Sequence, residues 1–158
     1  MRRKDKEVTD KKIIESIILR SSVCRIALSL NDHPYIVPVC FGYRDNILYF
    51  HSSGEGRKLD ILKKNNRVCV EFDIDHEVVT SGNPCDWTMR YRSAVCYGKV
   101  SFIEEEDGKR QALGIIMEHY SDSNVLPQGI KLNHLVLIKV DIESISGRIS
   151  GYEIETKS

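Results

Sequence analysis

The sequence carries no net charge, its 23 lysines and arginines being matched by 23 aspartates and glutamates. No overall field therefore recruits nucleic acid or an anionic membrane, and any charged partner has to be recognised locally. No apolar run approaches the roughly 18 residues of a membrane helix. Met1-Arg2-Arg3-Lys4-Asp5-Lys6 leads into polar sequence without the apolar stretch of a signal peptide, so a cytoplasmic protein is expected. Cys-x-x-Cys is missing, which excludes a zinc ribbon and a thioredoxin-type couple. Cys24, Cys40, Cys69, Cys85 and Cys96 are widely spaced, and most read as small core residues within apolar runs. Cys85, between Pro84 and Asp86, is the exception. The three-glycine dinucleotide pattern and the Gly-Lys-Ser/Thr ending of a P-loop are also absent, and His76-Glu77 is not a helix-borne zinc pair. No metal site is expected.

What is present is enough chain for one domain with a real core. The domain spans 1–158, with residues 1–8 flexible and 149–158 a tail. It is organised around the stretch from Ile47 to Leu62. Ile47-Leu48-Tyr49-Phe50-His51 has the β-branched, aliphatic and aromatic content of a strand. Ser52-Ser53-Gly54-Glu55-Gly56 then supplies hydroxyls and glycines for a sharp turn whose N–H groups face an anion. A helix follows, with Leu59 and Leu62 on one face, either serine able to cap it, and Arg57 and Lys58 at its positive end. Two adjacent cations and a small-residue turn suit one phosphate monoester better than a pyrophosphate. Solvated cations on an ordinary turn are the competing reading.

Thr9 or Asp10 is positioned to cap a helix with an Ile13, Ile14, Ile17, Ile18 stripe, packed across a barrel end. Residues 23–30 and 35–43 form a hairpin about Asn31-Asp32-His33-Pro34, and Pro38 requires an edge or bulge in the return strand. Arg44-Asp45-Asn46 is a second turn. Residues 67–73 alternate as a strand, Ser81 to Pro84 is loop, and 87–102 is too long for a flat strand, so a bend is expected. Residues 110–120 read as a helix, Pro127-Gln128-Gly129 as loop and 135–142 as a buried strand; Ser146-Gly147-Arg148 begins the polar tail. Six or seven strands joined mostly by hairpins, with three helices, predict a mainly β, α+β fold: a small antiparallel barrel with peripheral helices.

Five segments in order, Pro34 to Pro38, Leu48 to Ser52, Glu55 to Asp60, Arg67 to Glu71 and Trp87 to Ser93, closely resemble the FMN-binding split β-barrel proteins of the pyridoxamine 5′-phosphate oxidase superfamily, nearest to the nitroimidazole resistance (Nim-type) branch. The resemblance implies a homodimer with two FMN molecules where the subunits meet. It implies that Arg57 and Lys58, helped by Ser52, hold the FMN phosphate. The isoalloxazine ring then lies along the backbone of Val37, Pro38, Val39 and Cys40. Arg92 and Ser93 match positions that reach flavin bound mainly to the other subunit, and His51 matches a histidine beside the flavin on the substrate side. Asn31-Asp32-His33 departs from an Asp-Gly hairpin turn. The Arg-x-His substrate motif of the true oxidases is not found, so vitamin B6 chemistry is not expected.

The first functional expectation is an FMN-dependent oxidoreductase that passes electrons from a reduced nicotinamide to a nitro-aromatic or similar small acceptor, with His51 supplying a proton or hydrogen bond. The alternative is a non-catalytic flavin or haem binder in which His51, His76, His119 or His134 ligates iron. For His119, on an amphipathic helix, a surface position is expected. Nucleic-acid binding through Arg2, Arg3, Lys4 and Lys6 is disfavoured by the interspersed acids. Trp87 near Arg90, Tyr91 and Arg92 fits a dimer interface better than a base-stacking surface.

Overall fold

Asp10 opens the first helix. Its carboxylate accepts a hydrogen bond from the Lys12 amide at 2.8 Å, and α1 runs Lys11–Arg20 with Ile14, Ile17 and Ile18 buried. The computed structural model describes residues 6–121, 132 and 134–153. Arg2, Arg3, Lys4 and the Pro127-Gln128-Gly129 loop lie outside them. Within the segment expected to be flexible, Glu7–Val8 forms a short strand, β1, and Val8 is buried.

The hairpin follows as β2, Cys24–Leu30, and β3, His33–Val39. Asn31 and Asp32 both take left-handed φ, 51° and 62°, the requirement of a two-residue turn that matches strand twist. Only those two residues turn, and His33 and Pro34 already belong to β3. β3 ends one side of the sheet, so Pro38 removes no ladder bond. The expected return strand is broken at Cys40-Phe41, beyond which β4 is Gly42–Arg44. Asp45 and Asn46 repeat the left-handed pair, with φ 52° and 65°, and lead into β5, Ile47–Ser53.

The remaining elements are α2, Arg57–Leu62; β6, Arg67–Val79; a 3₁₀ turn at Pro84–Asp86; β7, Thr88–Ile103; α3, Glu106–Tyr120; and β8, Leu135–Ser150. The sheet order is β3-β2-β6-β7-β8-β5-β4, with β1 also on β8, and every pairing among the described residues is antiparallel. The fold is therefore α+β, a split antiparallel barrel with peripheral helices. The bend expected in β7 is a register shift against β8 at Tyr97 and Gly98. Two boundaries differ from expectation. α3 starts at Glu106 because Glu106 and Asp107 favour a first helical turn. β8 runs through Ser150 rather than ending before a polar tail, with Gly147, Ile149 and Ser150 buried.

Three helices among the described residues close what the strands leave open. α1 covers one end of the barrel, and α2 inserts Leu59, Ile61 and Leu62 at the other. α3 packs on β4 and β5, where Gly42 is required: a Cβ there would stand 2.6 Å from the Ile115 carbonyl oxygen. Phe41, Phe50 and Phe72 fill the centre, and Phe41 and Phe72 meet edge to face at 5.0 Å. Cys24 and Cys96 lie in this core, where burial pushes both thiols up to about 12 and removes them as nucleophiles. Cys40 and Cys85 are exposed, so Cys40 corrects the core reading: it falls in the break between β3 and β4.

Candidate functional site

Alternation along β5 sorts the turn residues before chemistry does. Leu48, Phe50 and Ser52 point inward and are buried; Tyr49, His51 and Ser53 point outward. The turn is then drawn tight by Ser53, whose hydroxyl donates to the Glu55 carbonyl at 3.0 Å. Neither serine caps α2. The cap position is Gly56, at φ 123°, a conformation that favours glycine, and it offers no side-chain hydrogen bond. α2 has six residues, too short for much macrodipole, so attraction for an anion here rests on side chains.

Those side chains are set on aromatic rings. The Arg57 guanidinium lies 5.1 Å from the centre of the Tyr35 ring on β3, and the Lys58 ammonium 5.6 Å from that of Phe50. Tyr35, Val37 and Val39 share one face of the edge strand, so Arg57 is tied to the strand whose outer backbone edge is unpaired. Lys58 is half-buried, and burial lowers its pKa, with the nearby Cys24 opposing weakly. Among the described residues neither Arg57 nor Lys58 forms an ion pair. A cation partly stripped of water with no counter-charge is the arrangement expected where an anionic ligand supplies it. Arg57 is thus held against β3 through Tyr35, and Lys58 against β5 through Phe50.

His51 stands on the neighbouring outward face, exposed, and its side chain makes no hydrogen bond within the described residues. Three of the other histidines, His33, His76 and His119, make side-chain hydrogen bonds, and His134 immediately precedes Leu135, the partner of Ser53 at the turn. His76 donates to Asp73 at 2.9 Å. His119, expected at the surface, is half-buried: its Nε2–H donates to the Ser21 carbonyl at 2.7 Å and its ring lies 4.3 Å from that of Phe41. His134 is exposed just ahead of β8. Among the described residues no group of three or more His, Cys, Asp or Glu is arranged to hold a metal ion.

Arg92 and Ser93 lie on β7, away from the turn, and point to opposite sides of their strand. Arg92 faces α1, where it pairs with Asp75 at 2.6 Å. Ser93 faces outward and sits across from Arg148 of β8 in the ladder. Arg148 was not singled out as a site residue from the sequence. Its guanidinium lies 5.9 Å from the Tyr91 ring, and its buried Nε has no hydrogen-bond partner among the described residues. Reading β8 to its full length is the signal that would have found it. The outer surface of this hairpin is apolar as well, with Val78, Trp87 and Met89 exposed, although the Trp87 indole donates to the Ser81 carbonyl.

No helix among the described residues is long and apolar enough to cross a membrane. No curated protein matches the chain at a significant level. Solved structures do. A Bacteroides thetaiotaomicron protein, provisionally described as a 5-nitroimidazole antibiotic resistance protein, shares 39% identity over 90% of this chain and 86% of its own, with a TM-score of 0.80. An FAD and haem binding protein from Mycobacterium smegmatis (20% identity, 96% and 77% coverage) and a flavocytochrome from Azotobacter vinelandii (17%, 98% and 75%) each superpose with a TM-score of 0.83 and share the fold. Residues 10–149 match the family described as pyridoxamine 5′-phosphate oxidase. That match covers most of the sequence, and the chain belongs to the pyridoxamine 5′-phosphate oxidase-like family.

Proposed function

We propose that the protein is an FMN-binding oxidoreductase, active as a homodimer, that passes electrons from a reduced nicotinamide to a nitro-aromatic or similar small acceptor. The observation that carries this reading is Lys58: a half-buried ammonium with a lowered pKa and no ion pair among the described residues, next to Arg57. A phosphate monoester near two negative charges supplies what that pair lacks, with Arg57 able to grip two oxygens and Lys58 acting as a point charge. The family and the 39%-identical Bacteroides protein support the choice of cofactor and acceptor.

The residues present fit FMN. Arg57 and Lys58 would hold its phosphate with help from the Ser52 hydroxyl, and the unpaired edge at Val37, Pro38, Val39 and Cys40 offers backbone groups to its ring. When bound, FMN supplies the hydride and electron transfer that no side chain can. His51, on an exposed face beside the turn, is placed to offer a ring N–H to an acceptor as negative charge builds on it. Ser93 and Arg148, on a different part of the surface, are assigned to flavin held by a second copy of the chain, and the exposed Trp87 and Met89 supply contact area between copies. Arg92, bound to Asp75 beneath α1, is not given that role.

The test is an FMN titration followed by absorbance, then anaerobic addition of NADH or NADPH and a nitroimidazole. Stoichiometric yellow protein that bleaches with nicotinamide and recovers with the nitro compound is expected. Bleaching without recovery would make the nitro acceptor wrong. Failure to bind FMN at saturating concentration would remove the whole proposal, and sedimentation of the loaded protein reports whether two copies associate.

A further inference from the structure

α1 and the far end of β7 enclose a cleft of about 510 Å³, large enough for a small organic ligand. Ile13, Ile17 and Ile149 give it apolar walls, and Ser16 a hydroxyl. Arg20 and Arg92 also line it, and both are bound to one carboxylate. Arg20 reaches the two oxygens of Asp75 at 2.8 and 3.0 Å, and Arg92 reaches one at 2.6 Å. The Arg92 guanidinium is further fixed 4.3 Å from the centre of the Tyr152 ring.

Two features show that this cluster is more than a brace. Asp75 holds φ at 57°, at the register break between β6 and β7, so the backbone adopts an uncommon conformation to present that carboxylate. And one carboxylate cannot neutralise two guanidiniums. Within that trio one positive charge is left over beside the apolar walls, and the rim adds Lys12 against Asp10 and Glu153, so it is the two guanidiniums, not the cleft as a whole, that complement the charged end of a small monoanion with an apolar body. Asp10 and Glu153, exposed at the rim with Lys12, carry carboxylates that disfavour a doubly charged ligand.

We infer that the cleft between α1 and β7 binds an amphipathic monoanion, an aryl or short acyl carboxylate, with its carboxylate on Arg20 and Arg92 and its apolar body against Ile13, Ile17 and Ile149. The site is separate in sequence and position from the turn at Arg57 and Lys58, and it stands whether or not flavin binds there.

Benzoate is the probe, titrated into the full chain while the methyl resonances of Ile13, Ile17 and Ile149 are followed. Binding with a dissociation constant on the order of 1 mM or tighter is expected. Benzyl alcohol, which keeps the ring and loses the charge, should bind at least about tenfold more weakly, as should benzoate to Arg20→Gln. Arg20 is half exposed, so that variant folds, and its dispersed methyl spectrum checks this. Glu153→Gln should admit phenyl phosphate, which the wild type discriminates against. The inference is overturned if benzoate shifts none of the three methyls, if benzyl alcohol binds equally well, or if Arg20→Gln leaves the benzoate affinity unchanged.

Discussion

Arg57 and Lys58 at one end of the barrel, and Arg20 and Arg92 at the other, are cation pairs of the same nominal charge in different states of compensation. The first pair has no carboxylate among the described residues, and its neighbours are the rings of Tyr35 and Phe50. The second shares Asp75, which also holds α1 against β6 and β7. The difference teaches where stability and binding part. Two cations without a carboxylate match a phosphate dianion and burden the empty fold; two cations with one carboxylate match a monoanion and tie elements together.

Four measurements test that contrast. Arg57→Ala should weaken FMN binding by roughly 1.5 to 3 kcal/mol, the scale of a charged hydrogen bond, while the exposed position leaves unfolding free energy within about 0.5 kcal/mol. Equal flavin retention by variant and parent would erase the functional half of the comparison. Asp75→Ala should act the other way round, lowering stability by about 1 to 2 kcal/mol through lost ion pairs and a left-handed alanine, with FMN affinity held. Urea unfolding with and without FMN separates the two effects.

Lys58→Met should stabilise the apoprotein by only about 0.5 kcal/mol, because burial depresses the Lys58 pKa and makes its charged form a cost to the folded state at neutral pH, a cost that water screens since the side chain is only half-buried. The same variant should lose FMN affinity, so a stability loss in the apoprotein would contradict the uncompensated state of the pair. The smallest effect is the pH response of Asp75. Burial raises this carboxyl, but hydrogen bonds from Arg92 and Arg20 outweigh it and hold the folded pKa below 3.8. The resulting stability is present above 3.8 and is lost as pH falls through the folded value. Since the ion pairs are partly exposed, the difference between wild type and Asp75→Asn should narrow by only a few tenths of a kcal/mol between pH 5 and pH 3.

Local chemistry was legible in the sequence where one residue type answers one backbone demand. Asp10 caps α1, Asn31-Asp32 and Asp45-Asn46 take the left-handed turns, and Pro38 marks an edge strand. The cations at 57 and 58 were legible as neighbours at a helix start, but the desolvation of Lys58 was not, since it depends on Phe50 from another element. β8 was cut short because serine, glycine and arginine dilute its alternation, which hid Arg148 and its place opposite Ser93. The Asp75 cluster was beyond reach for a different reason. Its partners stand 55 and 17 residues away, and they meet through a shift in strand register that no local pattern encodes.

The place of β8 in the sheet has a temporal consequence. It is the last of the described strands to be synthesised, yet β1, β5 and β7 all pair with it, and residue 7 of β1 is matched with residue 148. During translation the β2, β3, β6 and β7 ribbon can assemble on its own, while β1 and the β4 and β5 hairpin wait with open edges for a neighbour not yet made. Such waiting edges are where a nascent chain pairs with the wrong strand, so chaperone occupancy during synthesis should fall only as β8 clears the ribosome.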